Sequence, residues 1–146
     1  MVPKFKQYIN ENVLPYTGVF FPKSSLKLEK EVRESIKGDL GSFDGRVAAD
    51  EVHMTWKFPR GEGEGNYPPR IKAGDKAKVT VVGYYADDEL VCLVCKLGGK
   101  ETQPDSKTPL HITLFTKRGV KPVESGRRAN NKTILLPSYE IVGTWK

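Results

Sequence analysis

In two stretches of this chain apolar and polar positions alternate residue by residue: Val52-His53-Met54-Thr55-Trp56 and Leu110-His111-Ile112-Thr113-Leu114. Successive side chains of a β-strand point to opposite faces, so this alternation predicts two half-buried strands. Val52, Met54, Trp56 and Phe58 would share one face of the first, and Leu110, Ile112 and Leu114 one face of the second. The opposite faces carry His53 with Thr55 and His111 with Thr113. These are the chain's two histidines, each followed at the same spacing by a threonine. Two such strands facing one another would gather two imidazoles and two hydroxyls around one point. An imidazole exchanges its proton near neutral pH, and a hydroxyl can hydrogen-bond a phosphate oxygen.

The rest of the pattern supplies a scaffold. Thr17 to Phe21 predicts a short strand closed by Pro22. Ser25 to Lys37 predicts a helix capped by Ser25 and stopped by Gly38, with Leu28, Val32 and Ile36 as its apolar stripe and Glu29 paired with Arg33 on its solvent side. Ala77 to Tyr85 and Leu90 to Leu97 predict a hairpin around Ala86-Asp87-Asp88. Thr133 to Leu136, Pro137 and a strand from Tyr139 to Trp145 finish the chain. This order of elements predicts an α+β domain with mostly antiparallel sheet, one domain over 1–146 in one or two lobes.

The connecting segments are polar. Arg60 to Arg70 is rich in glycine, but neither a Lys-Ser/Thr pair nor a helix follows it. It is expected to be a mobile surface loop, with Arg60 and Arg70 near a substrate, rather than a phosphate loop. Gly119 to Asn131 offers Lys121, Arg127 and Arg128, either to phosphates or simply to solvent. The net charge of +6 leaves the same choice open, between an anionic partner and solubility alone. Cys92 and Cys95 form a C-x-x-C, but the three-residue spacing on a strand sends the sulfurs to opposite faces and no second pair exists. Buried, reduced thiols are expected. The longest apolar run, Leu90 to Cys95, is too short for a membrane span, and no signal peptide is evident, so an intracellular location is expected.

With these residues in view, the chain resembles the 2H phosphoesterase superfamily, named for paired His-x-Thr/Ser motifs on facing strands. The likeness runs from about Tyr16 to Thr116 and includes Thr17-Gly18-Val19-Phe20-Phe21-Pro22 as a first strand. Leu14-Pro15-Tyr16-Thr17-Gly18-Val19-Phe20-Phe21, Pro109-Leu110-His111-Ile112-Thr113 and Gly119-Val120-Lys121-Pro122-Val123 are similar to the phage anti-CBASS phosphodiesterases, which degrade cyclic oligonucleotide messengers of a bacterial antiphage system. The resemblance implies a bilobal fold, with antiparallel sheets around a central cleft and flanking helices. It also implies a phage origin, a cyclic di- or trinucleotide substrate and a place in the cytoplasm of the infected bacterium. The shortness of the chain between and after its motifs argues against a tRNA-sized substrate.

On this basis the expected activity is a phosphodiesterase without metal or other cofactor, because two imidazoles and two hydroxyls make a poor shell for zinc. One histidine takes the proton of a ribose 2′-hydroxyl, the other protonates the departing 5′ oxygen, and Thr55 and Thr113 hold the phosphoryl oxygens. The sequence leaves open which histidine is the base. Tyr16 and Trp145 are candidates to sandwich a nucleobase, or are ordinary half-buried aromatics, and Glu140 is a candidate acceptor for an exocyclic amine. A monomer without DNA or membrane partners is expected. The alternatives are opening of 2′,3′-cyclic phosphates on RNA ends, sequestration of a cyclic nucleotide without cutting it, and a purely structural role for both motifs.

Overall fold

The computed structural model describes residues 15–26, 45–47, 51–61, 65–104, 106–121, 123–129 and 133–146. Among these residues are seven strands: β1 (Thr17–Pro22), β2 (Gly45–Val47), β3 (Glu51–Lys57), β4 (Lys76–Ala86), β5 (Leu90–Lys96), β6 (His111–Lys117) and β7 (Ile134–Trp145). They follow the order β2-β6-β3-β1-β7-β4-β5, and β5 pairs in turn with β6, so six strands close into an antiparallel barrel with β2 appended along β6. Closure removes the free edges that an open sheet would leave.

This corrects the expected fold. The described residues form one barrel, neither bilobal nor built from sheets flanked by helices: they hold one short α-helix, α1 (Glu124–Ala129), and a 3₁₀ turn at Lys23–Ser25. The helix expected from Ser25 to Lys37 lies, beyond its first two residues, outside the described residues. Ser25 itself donates its hydroxyl to the Pro22 carbonyl at 2.8 Å, within the 3₁₀ turn.

The barrel interior is set by strand parity. Val19 and Phe21 of β1, Val52, Met54 and Trp56 of β3, Leu110 with Ile112 and Leu114 at β6, and Ile141 and Trp145 of β7 meet in one buried cluster. A second, smaller cluster of Leu90, Cys92, Val94 and Ala129 lies outside the barrel wall, beneath α1. Strand β5 is therefore buried on both faces, which is why Leu90 to Cys95 is unbroken apolar sequence rather than alternating. Cys95 belongs to the inner cluster and Cys92 to the outer one, the opposite-face placement that their spacing predicts. Both are free and buried, and burial pushes the Cys92 thiol up to about 12 and raises that of Cys95 as well.

Two irregularities shape the wall near the histidines. Opposite Val91 and Cys92 the register on β6 jumps from Phe115 to Thr113, leaving Leu114 as an extra residue. The bulge lets both Leu114 and Phe115 reach the core. On β1, a Cβ at Gly18 would collide with the Met54 carbonyl oxygen, so glycine here permits the close approach of β1 to β3. The expected hairpin is present as β4 and β5. Asp87 closes it by accepting the Glu89 and Leu90 amides at 2.7 and 2.9 Å.

Candidate active site

Because Val52, Met54 and Trp56 turn inward, β3 presents Glu51, His53, Thr55 and Lys57 on its outer face, and the same parity puts His111 and Thr113 on the outer face of β6. The two strands are hydrogen-bonded neighbours, with Met54 opposite Ile112. Antiparallel direction then lays His53 beside Thr113 and Thr55 beside His111. The motifs thus sit side by side in one wall instead of facing each other across a gap, yet the four side chains still converge. His53, Thr55, His111 and Thr113 all line one cleft of about 520 Å³ on the outside of the barrel.

Each imidazole is held differently. Nδ1 of His111 lies 2.7 Å from the Pro109 carbonyl oxygen. A carbonyl can only accept, so Nδ1 carries a proton and the neutral ring leaves its Nε2 lone pair free. His53 is held by stacking: its ring lies 5.1 Å from Phe20, its cross-strand partner on β1, and 4.8 Å from Tyr16. Both histidines titrate below the ordinary 6.5. Burial is the main cause for each. At His53 the neighbouring His111 adds to it and Glu51 opposes it, while at His111 the Pro109 contact opposes it.

The two threonines are anchored differently, one through its hydroxyl and one through its backbone. Thr113 Oγ1 lies 2.9 Å from the Oγ of Ser125 on α1, which is fully buried. The backbone carbonyl of Thr55 accepts from the Gln103 amide at 3.4 Å. Gln103, Ser106 and Thr108, from the segment leading into β6, form a polar side of the cleft. Phe58 and Val123 form an apolar side while remaining 65% and 62% exposed.

Of the residues proposed for base recognition, Tyr16 lines the cleft and the other two do not. Trp145 is a core residue, 2% exposed, packed edge-on against Trp56 and Tyr67. Its parity on β7 matches that of Ile141, which turns it into the barrel. Glu140 is exposed on β7 opposite Thr80 and away from the cleft lining. Conversely Phe58, expected on the core side of the first His strand, follows the end of β3 and stands exposed at the cleft. Alternation ceases to hold once the chain leaves the strand.

Among the basic residues, Arg127 lines the cleft, next to Glu124 at 3.3 Å. Arg128 is a brace, bound to Asp87, Glu89 and Glu124. The glycine-rich segment is tied down at Gly61 and Asn66: the Asn66 side-chain amide bridges the Gly61 backbone, and Thr17 donates to the Asn66 carbonyl at 2.6 Å. Arg60 lies on the Tyr67 ring and donates to its hydroxyl, and neither Arg60 nor Arg70 is among the residues lining the cleft. The Arg60 amide also donates to the Pro15 carbonyl at 2.8 Å, which fixes the backbone entering Tyr16.

Sequence alternation pointed to the four motif residues. It put Phe58 on the core face, and it gave no signal for Gln103, Ser106, Thr108 or Val123, which come from loops. Among the described residues no group of three His, Cys, Asp or Glu side chains stands together as a metal site, and no helix is long and apolar enough to cross a membrane. No family model matches the chain, and no curated protein matches it either.

Proposed function

We propose that the protein is a metal-independent phosphodiesterase that cleaves 3′-5′ linkages of cyclic di- or trinucleotides by two-histidine acid-base catalysis. The observation that carries this reading is the convergence of His53, His111, Thr55 and Thr113 on one cleft. In the proposed reaction Nε2 of neutral His111 takes the proton of the ribose 2′-hydroxyl. O2′ attacks phosphorus, the P–O5′ bond breaks, and protonated His53 gives its proton to O5′. The products are a 2′,3′-cyclic phosphate and a free 5′-hydroxyl. Thr55 and Thr113 donate to the non-bridging oxygens as charge builds on them.

We take His111 as the base because Pro109 holds its Nδ1 proton, so that in the neutral ring Nε2 is the nitrogen left to accept. Glu51, two residues before His53 on the same face, favours the charged form that an acid needs. Tyr16 and Phe58 supply aromatic surface for a base, and stacking on such surface tolerates any base. The cyclic oligonucleotide substrate, the phage origin and action in the cytoplasm of an infected bacterium rest on the resemblance of Leu14 to Phe21, Pro109 to Thr113 and Gly119 to Val123 to anti-CBASS phosphodiesterases.

The test is turnover of a panel of cyclic di- and trinucleotides in EDTA, followed by chromatography, for the wild type and for His53→Ala and His111→Ala. Each variant should lose about 10²- to 10⁴-fold in rate while still binding. More than a tenth of wild-type turnover in either would remove the acid-base assignment. Binding by the wild type with no cutting would make the protein a sequestering one.

A further inference from the structure

Helix α1 is short, yet two consecutive residues of it touch both members of the second motif. Ser125, fully buried, shares a hydrogen bond of 2.9 Å with the Thr113 hydroxyl. Gly126 lies against His111: a Cβ there would sit 3.1 Å from the ring's Cε1 and 2.5 Å from Thr108 Cγ2. The imidazole is thus held between the Pro109 carbonyl, which accepts from Nδ1, and the bare backbone of α1. The helix is itself held from outside the cleft. Ala129 is buried with Leu90, Cys92 and Val94, and Arg128 bonds Asp87 at 3.1 Å and Glu89 at 2.9 Å in the β4–β5 turn.

We infer that Ser125 and Gly126 are positioning residues for the proposed reaction: Ser125 directs the Thr113 hydroxyl and Gly126, by lacking a side chain, seats the His111 ring. A hydroxyl has one proton. If Ser125 donates to Thr113, the Thr113 proton is left for a phosphate oxygen and is aimed away from Ser125, whereas an unpartnered Thr113 hydroxyl would rotate freely about its C–O bond. A methyl at position 126 would displace the Thr108 methyl and press on Cε1, the carbon between the two ring nitrogens, so that the ring shifts by a few tenths of an ångström against Pro109 and its Nδ1 contact is weakened. The backbone between the two strands need not move for either effect.

The inference rests on the acid-base reading, so its test has one arm that needs no turnover. The imidazoles of the intact protein are titrated by NMR in the wild type, Ser125→Ala and Gly126→Ala. The charged and titratable groups lining the cleft with His111, namely Tyr16, His53 on β3 and Arg127 on α1, are unchanged in all three. Gly126→Ala should move the His111 titration to lower pH, because the Pro109 contact favours the charged ring, and leave His53 in place. With a cyclic dinucleotide that the wild type cuts, Ser125→Ala should lose roughly tenfold or more in kcat with KM little changed, less than the 10²- to 10³-fold for removing a donor outright. That loss should disappear in a Thr113→Val background, since two residues acting through one hydroxyl are not additive. Should Gly126→Ala fail to fold, Arg128→Gln, which loosens α1 from the turn without touching either motif residue, should move His111 in the same direction. An unmoved His111 titration, or a Ser125→Ala loss that persists without the Thr113 hydroxyl, would overturn the inference. A wild type that cuts no cyclic nucleotide while Gly126→Ala still moves His111 would instead sink the proposed function alone.

Discussion

Phe20 and His53 stand directly opposite one another on β1 and β3, their rings 5.1 Å apart at 28°, and the Lys146 ammonium lies 4.8 Å above the Phe20 ring. A residue of the barrel wall thus forms a flat support for one imidazole. Phe20→Leu keeps the bulk and removes the stack. It should lower stability by about 1 kcal/mol, the usual worth of an aromatic pair, and reduce kcat more than it raises KM. Thermal unfolding and steady-state kinetics measure both, and an unchanged kcat would show that the stack does not hold His53 in its working position.

The depressed histidines set a pH dependence with a definite sign. Acid-base work needs one ring neutral and one charged, so kcat/KM should follow a bell whose centre lies below 6.5, because both rings are shifted down. Stability follows the same groups. A folded-state value below the unfolded one means that the unfolded chain binds protons first. The stability contributed by the buried neutral rings is therefore complete above about 6.5 and is lost as pH falls through the lowered values. Glu51→Gln removes the influence that raises His53 and should move one limb of the bell further to the acid side. A bell centred above 6.5 would contradict the placement of both rings.

Phe58 and Trp145 make opposite predictions. Phe58→Ala should leave the melting temperature nearly unchanged, since the ring is exposed, and should raise KM. Trp145→Ala should cost roughly 3–5 kcal/mol of stability, as for other large core truncations, with little effect on substrate affinity in whatever fraction stays folded. Urea unfolding and binding titrations separate the two. A Trp145 variant of normal stability and weak binding would restore that residue to the cleft.

The C-x-x-C is expected to be chemically silent. With the Cys92 thiol pushed up to about 12 by burial and Cys95 raised likewise, neither forms a thiolate near neutral pH. A thiol reagent should find none reactive in the native protein and two after denaturation. Rapid native labelling would show that one of the two faces of β5 opens.

Apart from β2, which no expected strand covered, and the continuity of β7 through Pro137, the strands and the motif residues were legible in the sequence because alternation is a local property. His53 and Thr55 face outward because Val52, Met54 and Trp56 must face inward. Closure of the barrel was not legible. It depends on the pairing of β5 with β6 and of β1 with β7, and no local pattern encodes a register between segments so far apart. Helix α1 was hidden for a related reason: Glu124-Ser125-Gly126-Arg127-Arg128-Ala129 has a glycine in its middle and no apolar stripe, and it is fixed by Arg128 and by packing on β5. Trp145 was misplaced because an aromatic near a strand end suits a core and a cleft equally well, until the parity of β7 is known.

The most direct test of the central claim is the first product of the reaction, followed by mass spectrometry in oxygen-18 water. A cyclic ribodinucleotide that the protein cuts should first give a linear species isomeric with the substrate, carrying a 2′,3′-cyclic phosphate and no heavy oxygen, because the attacking 2′-hydroxyl is part of the same molecule. The 2′-deoxy analogue should bind the cleft and remain intact. Heavy oxygen in the very first product, or efficient cleavage of the deoxy linkage, would mean that His53 and His111 activate water, and the 2′-hydroxyl mechanism would be wrong for this protein.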